Sequence, residues 1–429
     1  MSSRYLKSEE QLHRAEKSIP LGSQTFSKSK TQYPVGISPL FAKRAKGAYL
    51  WDIDGNKYID LVSSLASITL GYGNSQLNHA VKQQLKEGVI LSLPSVLESE
   101  VAELLIELIP SAEMVRFGKN GTDATSAAVR LARAYTGKKH VLVCGYHGWQ
   151  DWYIGSTTRN KGVPKDVSDL THTFTYNDIE NLKYLVNQYS NDVAAIVMEP
   201  MNIDWPKPGY LEEVKEIAEK FGIVLVFDET ITGFRFSEGG AQKLFGVIPH
   251  LSTFGKGLAN GFPISAVVGK REIMLEMEEI FFSGTFGGEL LSLAAAKYVL
   301  LRHKKENICA QLAEIGGLLS SKVENIINTH NLNNHLNLRG HNSWKFLSWE
   351  PSEQISIDEF KTYFMQEMFA NGVLVLGTHN VTLAHNEKVI SSIVSIYDEI
   401  LSNISNHLIQ GDLKGQLLVP PLKPLFKVR

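Results

Sequence analysis

The sequence predicts an α/β protein with a mostly parallel central sheet and a smaller α+β domain. Three observations predict it. Between about residues 75 and 295, short apolar runs alternate with helical patterns. Two of those helical patterns, Thr122–Tyr135 and Leu211–Lys220, are followed by Gly137 and Gly222 near the position where a helix stops. The chain has 429 residues with 43% hydrophobic content, ample for one large domain and a smaller one.

The elements follow in order. Residues 5–18 read as a polar helical lead-in, and residues 20–35 (PLGSQTFSKSKTQYPV) as an extended loop. Ala48–Asp52 and Lys57–Asp60 flank Asp54-Gly55, a hairpin turn. The strand candidates are Met114–Phe117, Val141–Cys144, Ala194–Met198, Ile223–Phe227, Ser252–Phe254 and Ala266–Gly269. Strands alternating with helices imply βαβ units, and in such sheets sites form where strands end. A long helix is expected from about Gly288 into the 300s. Val373–Val375 reads as a strand, Lys388–Leu408 as a helix, and Gly411–Arg429, with its PPLKP, as an extended tail. The expected organisation is an N-terminal segment (1–60) packing with the small domain, a large ligand-binding domain (61–299), and a small C-terminal domain with its tail (300–429).

Charge is nearly balanced, with 43 Lys+Arg against 45 Asp+Glu and a formal net charge of -2. That argues against a nucleic-acid or membrane-surface binder. The two cysteines, Cys144 and Cys309, are far apart and form no disulfide framework or metal-ligand spacing, so no metal is expected. The N-terminal MSSRYLKSEEQLHRAEK lacks an apolar signal core, and no segment approaches a membrane span. The expectation is a soluble cytoplasmic protein.

Four stretches carry chemistry. In IVLVFDETITGFR, an apolar strand ends in Asp228 and Glu229. Alone, Asp228 would pass for a cap or loop ion pair. In STFGKGLANGFPISAVVG, Lys256 stands between Gly255 and Gly257, after one apolar strand and before another. A lysine between glycines is usually a solvated loop residue, and this setting disfavours that. In FGKNGTDATSAAVRLARAYTG, a strand passes through Gly118–Gly121 into a helix starting near Thr122. Its N–H groups and the Thr hydroxyl make either an anion site or an ordinary N-cap. In CGYHGWQD, Tyr146, His147 and Trp149 surround Gly148, to stack on a flat ligand or to pack in the core. Together they supply a phosphate cradle, a stacking ring, a carboxylate and an isolated lysine. Pyridoxal 5′-phosphate (PLP) needs that set: a lysine for the Schiff base, and an aspartate that keeps the pyridine nitrogen protonated.

At these residues the chain resembles the class III aminotransferases, which are fold type I PLP enzymes, from about residue 15 to 405. The family's D-E-x-x-T-G-F-R is matched by Asp228–Arg235, and the family lysine follows about thirty residues later, as Lys256 does. Within the family the pattern is most similar to the glutamate-1-semialdehyde aminomutases, in IPLG (19–22), in PLFAKRAKGAYLWDIDGNKYIDLV and in SGTFGGELLSLAAA (283–296). The resemblance implies that Lys256 is the Schiff-base lysine and proton shuttle, and that Asp228 pairs with the pyridinium. It implies that Gly121 and Thr122 bind the phosphate, that Tyr146 stacks on the ring, and that Thr285 reaches the phosphate in a neighbouring subunit. A homodimer with shared sites follows. Glu199 and Pro200 match the family's E-P turn, where Glu199 is read as structural or as facing substrate.

The departures fall on the substrate side. The phosphate loop, usually S-x-S-G-T-E-A, is Gly118-Lys119-Asn120-Gly121-Thr122-Asp123-Ala124, where Asn120 can still bond a phosphate and Lys119 adds charge. Trp149 stands where a histidine is common. The aminomutases' N-S-P-V-R, whose Ser and Arg hold a carboxylate, aligns with Gln24-Thr25-Phe26-Ser27-Lys28, and their S-W-G is altered near Ser64-Leu65. Lys28, Trp149 and Glu199 are thus the candidate substrate residues. The expected reaction moves an amino group from an amino acid, expected to be glutamate, to a small aldehyde or ketone, phosphorylated or sugar-derived. The aminomutase reaction is the second reading. A catalytically silent scaffold is the third, and the intact Lys256, Asp228, Thr122 and Tyr146 argue against it.

Overall fold

The computed structural model describes residues 3–189 and 191–423. Among these, one unit holds 75–310 and the other holds 3–74 with 311–423. The divisions thus fall after 74 and 310 rather than after 60 and 299.

The 75–310 unit is built on a seven-stranded sheet. In chain order its strands are β1 (Met114–Gly118), β2 (His140–Cys144), β3 (Thr171–Thr173), β4 (Val193–Met198), β5 (Val224–Asp228), β6 (Leu251–Phe254) and β7 (Ser265–Gly269). Their order across the sheet is β1-β7-β6-β5-β4-β2-β3. β7 is antiparallel to β1 and β6, and every other pairing is parallel. All strands except β7 therefore run one way. The C-terminal ends of β1, β2, β4, β5 and β6 gather along one edge.

Side-chain alternation sorts the strand residues to two faces. Val141, Val143, Ala195, Val197, Val224 and Val226 pack against the alanine-rich face of helix α1 (Gly121–Thr136). Leu142, Ile196, Met198, Leu225 and Phe227 face helices α2 (Ile179–Gln188) and α3 (Tyr210–Lys220). Both faces are covered, which is why these strands read as continuous apolar runs. Full burial of a side chain such as Phe227 contributes about 2–3 kcal/mol. Asp228 shares parity with Val224 and Val226, so the backbone turns its side chain toward the α1 face. Helix α1 closes at Gly137, whose φ of 67° lets its N–H reach the Arg133 carbonyl at 2.9 Å. The edge strand β3 has no apolar run, and the sequence did not announce it.

The other unit carries a four-stranded sheet, in the order Ala42–Lys46, Tyr49–Asp52, Lys57–Asp60, Val373–Leu374. The first three are antiparallel and the last joins in parallel. A three-stranded antiparallel sheet of Leu336–His341, Trp344–Trp349 and Thr378–Asn380 lies in the same unit. One apolar core draws on these strands and on helices Ile357–Ala370 and Glu387–Gln410.

Three expectations change in detail. The helix expected from Gly288 breaks at 306–307 into Leu290–Lys305 and Ile308–Thr329. Residues 20–35 are not extended throughout, because Pro20–Gly22 and Phe26–Lys28 form tight 3-10 turns. The Ser29 hydroxyl donates to the Phe26 carbonyl at 2.9 Å and pairs with Thr31 at 2.7 Å, so these hydroxyls serve the loop's own backbone. The tail from 411 first makes a turn at Leu413–Gln416, and its last residues, 424–429, lie outside the described ones.

Candidate active site

Asp228, the last residue of β5, is buried. Its Oδ1 accepts the Thr230 hydroxyl at 2.5 Å, the Thr230 N–H at 3.1 Å and the Thr253 hydroxyl at 3.1 Å. Its Oδ2 lies 2.8 Å from His147 Nδ1. Burial pushes the carboxyl upward, but the His147 and Thr230 bonds together hold it below the ordinary carboxylate range. An ionised carboxylate only accepts, so Nδ1 carries the proton of that bond. The other ring nitrogen, Nε2, faces the Cys144 carbonyl at 3.2 Å, which fixes the imidazole at the end of β2.

Thr122 lies in the first turn of α1, after β1. Its hydroxyl is buried and has no hydrogen-bond partner. The Asp123 carboxylate accepts the N–H groups of Lys119 (3.0 Å) and Asn120 (2.8 Å), which holds the loop shape. The N–H groups of Gly121 and Thr122 open the helix, where a helix leaves such groups unsatisfied, whereas the Asp123 N–H already bonds the Asn120 carbonyl at 3.0 Å. The Ser265 hydroxyl, on β7 opposite Gly118, is also buried and unpartnered. A phosphate fits such a site: unpaired hydroxyl donors at the start of a sixteen-residue helix. The charge expected of Lys119 is taken by Glu289, 3.0 Å away, which itself caps helix Leu290–Lys305.

Glycines make room where the segments meet. A Cβ on Gly148 (φ +108°) would lie 2.3 Å from Thr122 Oγ1, and one on Gly121 would lie 2.9 Å from Thr230 Cγ2. Gly255 sits against the same Thr230 methyl, at 3.4 Å for its Cβ position. Lys256 follows at once, with φ 36°, opening the 3-10 turn Lys256–Ala259 after β6. It is half-buried among fully buried neighbours, unlike a solvated loop lysine.

Tyr146 is 40% exposed and meets Tyr153 edge-on, with ring centroids 5.7 Å apart. The Tyr153 hydroxyl donates to the Gly145 carbonyl at 2.8 Å, which steadies that loop. Glu199, just after β4, is buried and accepts the Asn202 amide at 2.5 Å and the Tyr146 N–H at 3.3 Å. Both contacts hold loop backbone or side chain in place, as a structural residue does. Trp149 and Thr285 are exposed. Burial and the nearby Glu199 push the Cys144 thiol up to about 12, leaving it neutral. Asp228, Thr122, Tyr146, Lys256 and Glu199 thus all follow strands ending at one sheet edge. Sequence reasoning missed Thr230, Thr253, Ser265 and the role of His147. A threonine two residues after a strand-end aspartate is a local turn signal that could have flagged Thr230.

Within the other unit lies a cavity of about 400 Å³. Lys28, Lys43, Arg44, Tyr33, Ser64 and Leu65 line part of it. Asp60 lines the same cavity, and Lys28 acts electrostatically on its carboxyl, whereas Lys30 pairs with Glu16. Arg44 stacks on Trp51, 3.6 Å from the ring centroid. Ser64 and Leu65 belong to a left-handed turn, Ser63–Ala66, with φ of 46°, 49°, 60° and 67°. Such a backbone costs roughly 1–2 kcal/mol per residue. The offset comes from buried bonds: Ser63 Oγ to the Asn380 carbonyl (2.6 Å), and Asp60 Oδ1 accepting the N–H groups of Val62 (2.7 Å) and Ser63 (3.0 Å).

The sequence profile described as "Aminotransferase class-III" matches residues 32–405. The chain is 33% identical over 383 residues to the 3-aminobutyryl-CoA aminotransferase of Cloacimonas acidaminovorans, covering 87% of this chain and 91% of that one. It is 32% identical over 394 residues to the glutamate-1-semialdehyde 2,1-aminomutase of Methanocaldococcus jannaschii, covering 85% and 92%. In three dimensions it matches the PLP internal aldimine form of the Sphingopyxis sp. MTA144 FumI protein with a TM-score of 0.88 at 26% identity, over 95% of this chain and 98% of that one.

The Gly148 contact yields a paired measurement. Gly148→Ala must displace Thr122 and is expected to weaken PLP binding at least about ten-fold, a loss of about 1.4 kcal/mol. Gly137→Ala has φ +67° but meets nothing within 4 Å, so it should lose stability while keeping PLP affinity. Absorbance titration of PLP into both variants checks this, and equal affinities would refute it.

Proposed function

This chain belongs to the class III aminotransferases, with PLP as its cofactor, and from that premise we propose that it moves an amino group from glutamate to a small phosphorylated or sugar-derived aldehyde or ketone. Bound PLP supplies an electron-withdrawing ring that stabilises negative charge on the carbon bearing the nitrogen. Asn120, the Thr122 hydroxyl and the N–H groups of Gly121 and Thr122 hold its phosphate. Tyr146 covers its ring. Asp228 keeps a proton on the ring nitrogen by a buried, charge-assisted hydrogen bond. Lys256 would hold the cofactor and would carry the proton to and from the reacting carbon. Glu199 holds the Tyr146 loop. Trp149 lies on the same loop, exposed and available to substrate.

The observation that carries the substrate reading is the cavity lined by three cations, Lys28, Lys43 and Arg44, against the single carboxylate of Asp60. It supports an anionic acceptor. The two relatives are named for different substrates, so family membership leaves the acceptor open. The aminomutase reaction is the second reading, favoured by the relative that bears that name. Against it stands Lys28 in place of the arginine fork: a lysine offers a point charge on a flexible stem and does not reproduce bidentate carboxylate binding.

We further propose a two-fold homodimer in which Thr285 completes the partner's phosphate site. Val89, Ile90, Leu91, Leu93 and Val96 are exposed, and so are Phe281 and Phe286, with Leu93 at 78% and Phe281 at 84%. The Leu290 N–H to Val89 carbonyl bond, at 2.8 Å, joins the two segments. An apolar surface of this kind supports association. No described helix is long and apolar enough to cross a membrane, and both cysteines are free, which agrees with a reducing cytoplasm.

Borohydride treatment of the yellow protein should fix the cofactor on Lys256, as peptide mapping would read, and Lys256→Ala should lose turnover. An adduct on another lysine would sink the assignment. For the acceptor, kcat/KM on glutamate-1-semialdehyde is expected below roughly 10⁴ M⁻¹s⁻¹. Lys28→Met should raise KM for the preferred phosphorylated acceptor about ten-fold with kcat little changed, the mark of ground-state binding. Full activity on the semialdehyde would promote the aminomutase reading instead. For assembly, sedimentation should show a dimer that Phe281→Lys weakens together with activity, and a fully active monomer would end that proposal.

A further inference from the structure

The two oxygens of Asp228 are not equivalent, and Thr230 makes most of the difference. Oδ1 accepts three hydrogen bonds, two of them from Thr230. Oδ2 accepts one, from His147. A carboxylate oxygen offers about two lone pairs. Oδ1 is therefore saturated, and the acceptor capacity left on this carboxylate belongs to Oδ2. The Thr230 methyl meanwhile fills the slot between two glycines: Cβ positions on Gly121 and Gly255 would lie 2.9 Å and 3.4 Å from Cγ2. One side chain thus touches the first residue of α1, the residue before Lys256, and Asp228 itself. The D-E-x-x-T-G-F-R pattern leaves this position open.

We propose that Thr230 is a positioning residue whose hydroxyl ties down Oδ1 of Asp228, so that Oδ2, steadied by His147, is the oxygen left to accept a hydrogen bond from the protonated ring nitrogen of PLP. A carboxylate turns in a broad, roughly two-fold torsional well and, left alone, presents either oxygen. Two bonds from one residue to Oδ1 stop that rotation. The methyl group sets the spacing of Gly121 and Gly255 at the same time. The proposal rests on the reading of Asp228 as the ring-nitrogen partner.

Valine keeps the shape of Thr230 without the hydroxyl, and serine keeps the hydroxyl without the methyl. The experiment compares holoenzyme carrying Thr230→Val, Thr230→Ser and, as reference, Asp228→Ala. It reads the rate of PLP release into a trap, the pH at which the visible cofactor band changes, and the melting of the apoprotein. A hydrogen bond to a charged group accounts for roughly a ten- to hundred-fold effect. Thr230→Val should release PLP faster by about that factor and shift the band's titration, with apoprotein melting near the parent's. Thr230→Ser should restore the parental titration. The proposal falls if Thr230→Val matches the parent, or if Thr230→Ser shifts the band as far as valine does. If Asp228→Ala itself retains parental PLP release and titration, the reading of Asp228 fails rather than that of Thr230. If the valine variant does not fold, Thr230→Ala against Thr230→Ser makes the same comparison.

Discussion

A buried, ionised carboxylate at the end of a central strand constrains the rest of the 75–310 unit. Taking Asp228 out of water is expensive unless it is well bonded. The offset comes from three segments that end together: the turn after β5 through Thr230, strand β6 through Thr253, and the loop after β2 through His147. Thr253 comes from the strand directly beside β5, and His147 reaches Asp228 from the loop after β2, two strands away. The parallel order β6-β5-β4-β2 is what brings them there. The bonds that keep Asp228 charged also tie the strand ends into one edge, so the electrostatics and the topology depend on each other.

Close approach is the second half of that constraint. Thr122 and Thr230 occupy volumes that only glycine neighbours leave open, at Gly148 and Gly121. The loop after β2 crosses the start of α1 with no room for a methyl group. That closeness leaves the Thr122 hydroxyl buried without a protein partner. Glu229, next to Asp228, shows how differently an adjacent carboxylate can be used. It accepts the N–H groups of Ala241 (2.7 Å) and Gln242 (2.8 Å) and closes the loop that follows β5. Burial raises its carboxyl despite these bonds, whereas Asp228 is lowered. The bonds from His147 and Thr230 to Asp228 make the difference.

The 3–74 and 311–423 unit is governed by another balance. Its left-handed turn at Ser63–Ala66 places four non-glycine residues where L-residues are strained. The turn persists because Asp60 and Asn380 saturate its buried backbone and hydroxyl groups. Strain held in place beside a charged cavity is a common feature of ligand sites. Here it displays Ser64 and Leu65, where this chain departs from the aminomutase pattern.

By itself the sequence determined the α/β class, the six long strands of the larger sheet to within a residue or so, and the stretches around Asp228, Lys256, Thr122 and Tyr146. It could do so because buried strands and helix starts are written in local composition: apolar runs, glycine stops, a threonine at a helix beginning. It did not reveal β3, whose Thr-His-Thr carries no apolar signal, nor the break at 306–307. It could not tell that Lys119 is neutralised by Glu289, 170 residues away, or that the hydroxyls of the N-terminal loop are spent on its own turns. The His147–Asp228 pair spans 81 residues, and the crowding of Gly148 on Thr122 joins two loops from different strands. Only tertiary structure decided these, because a hydrogen bond or a steric contact depends on distance in space. Chain order gives that distance only within a turn or two of helix or along a single strand.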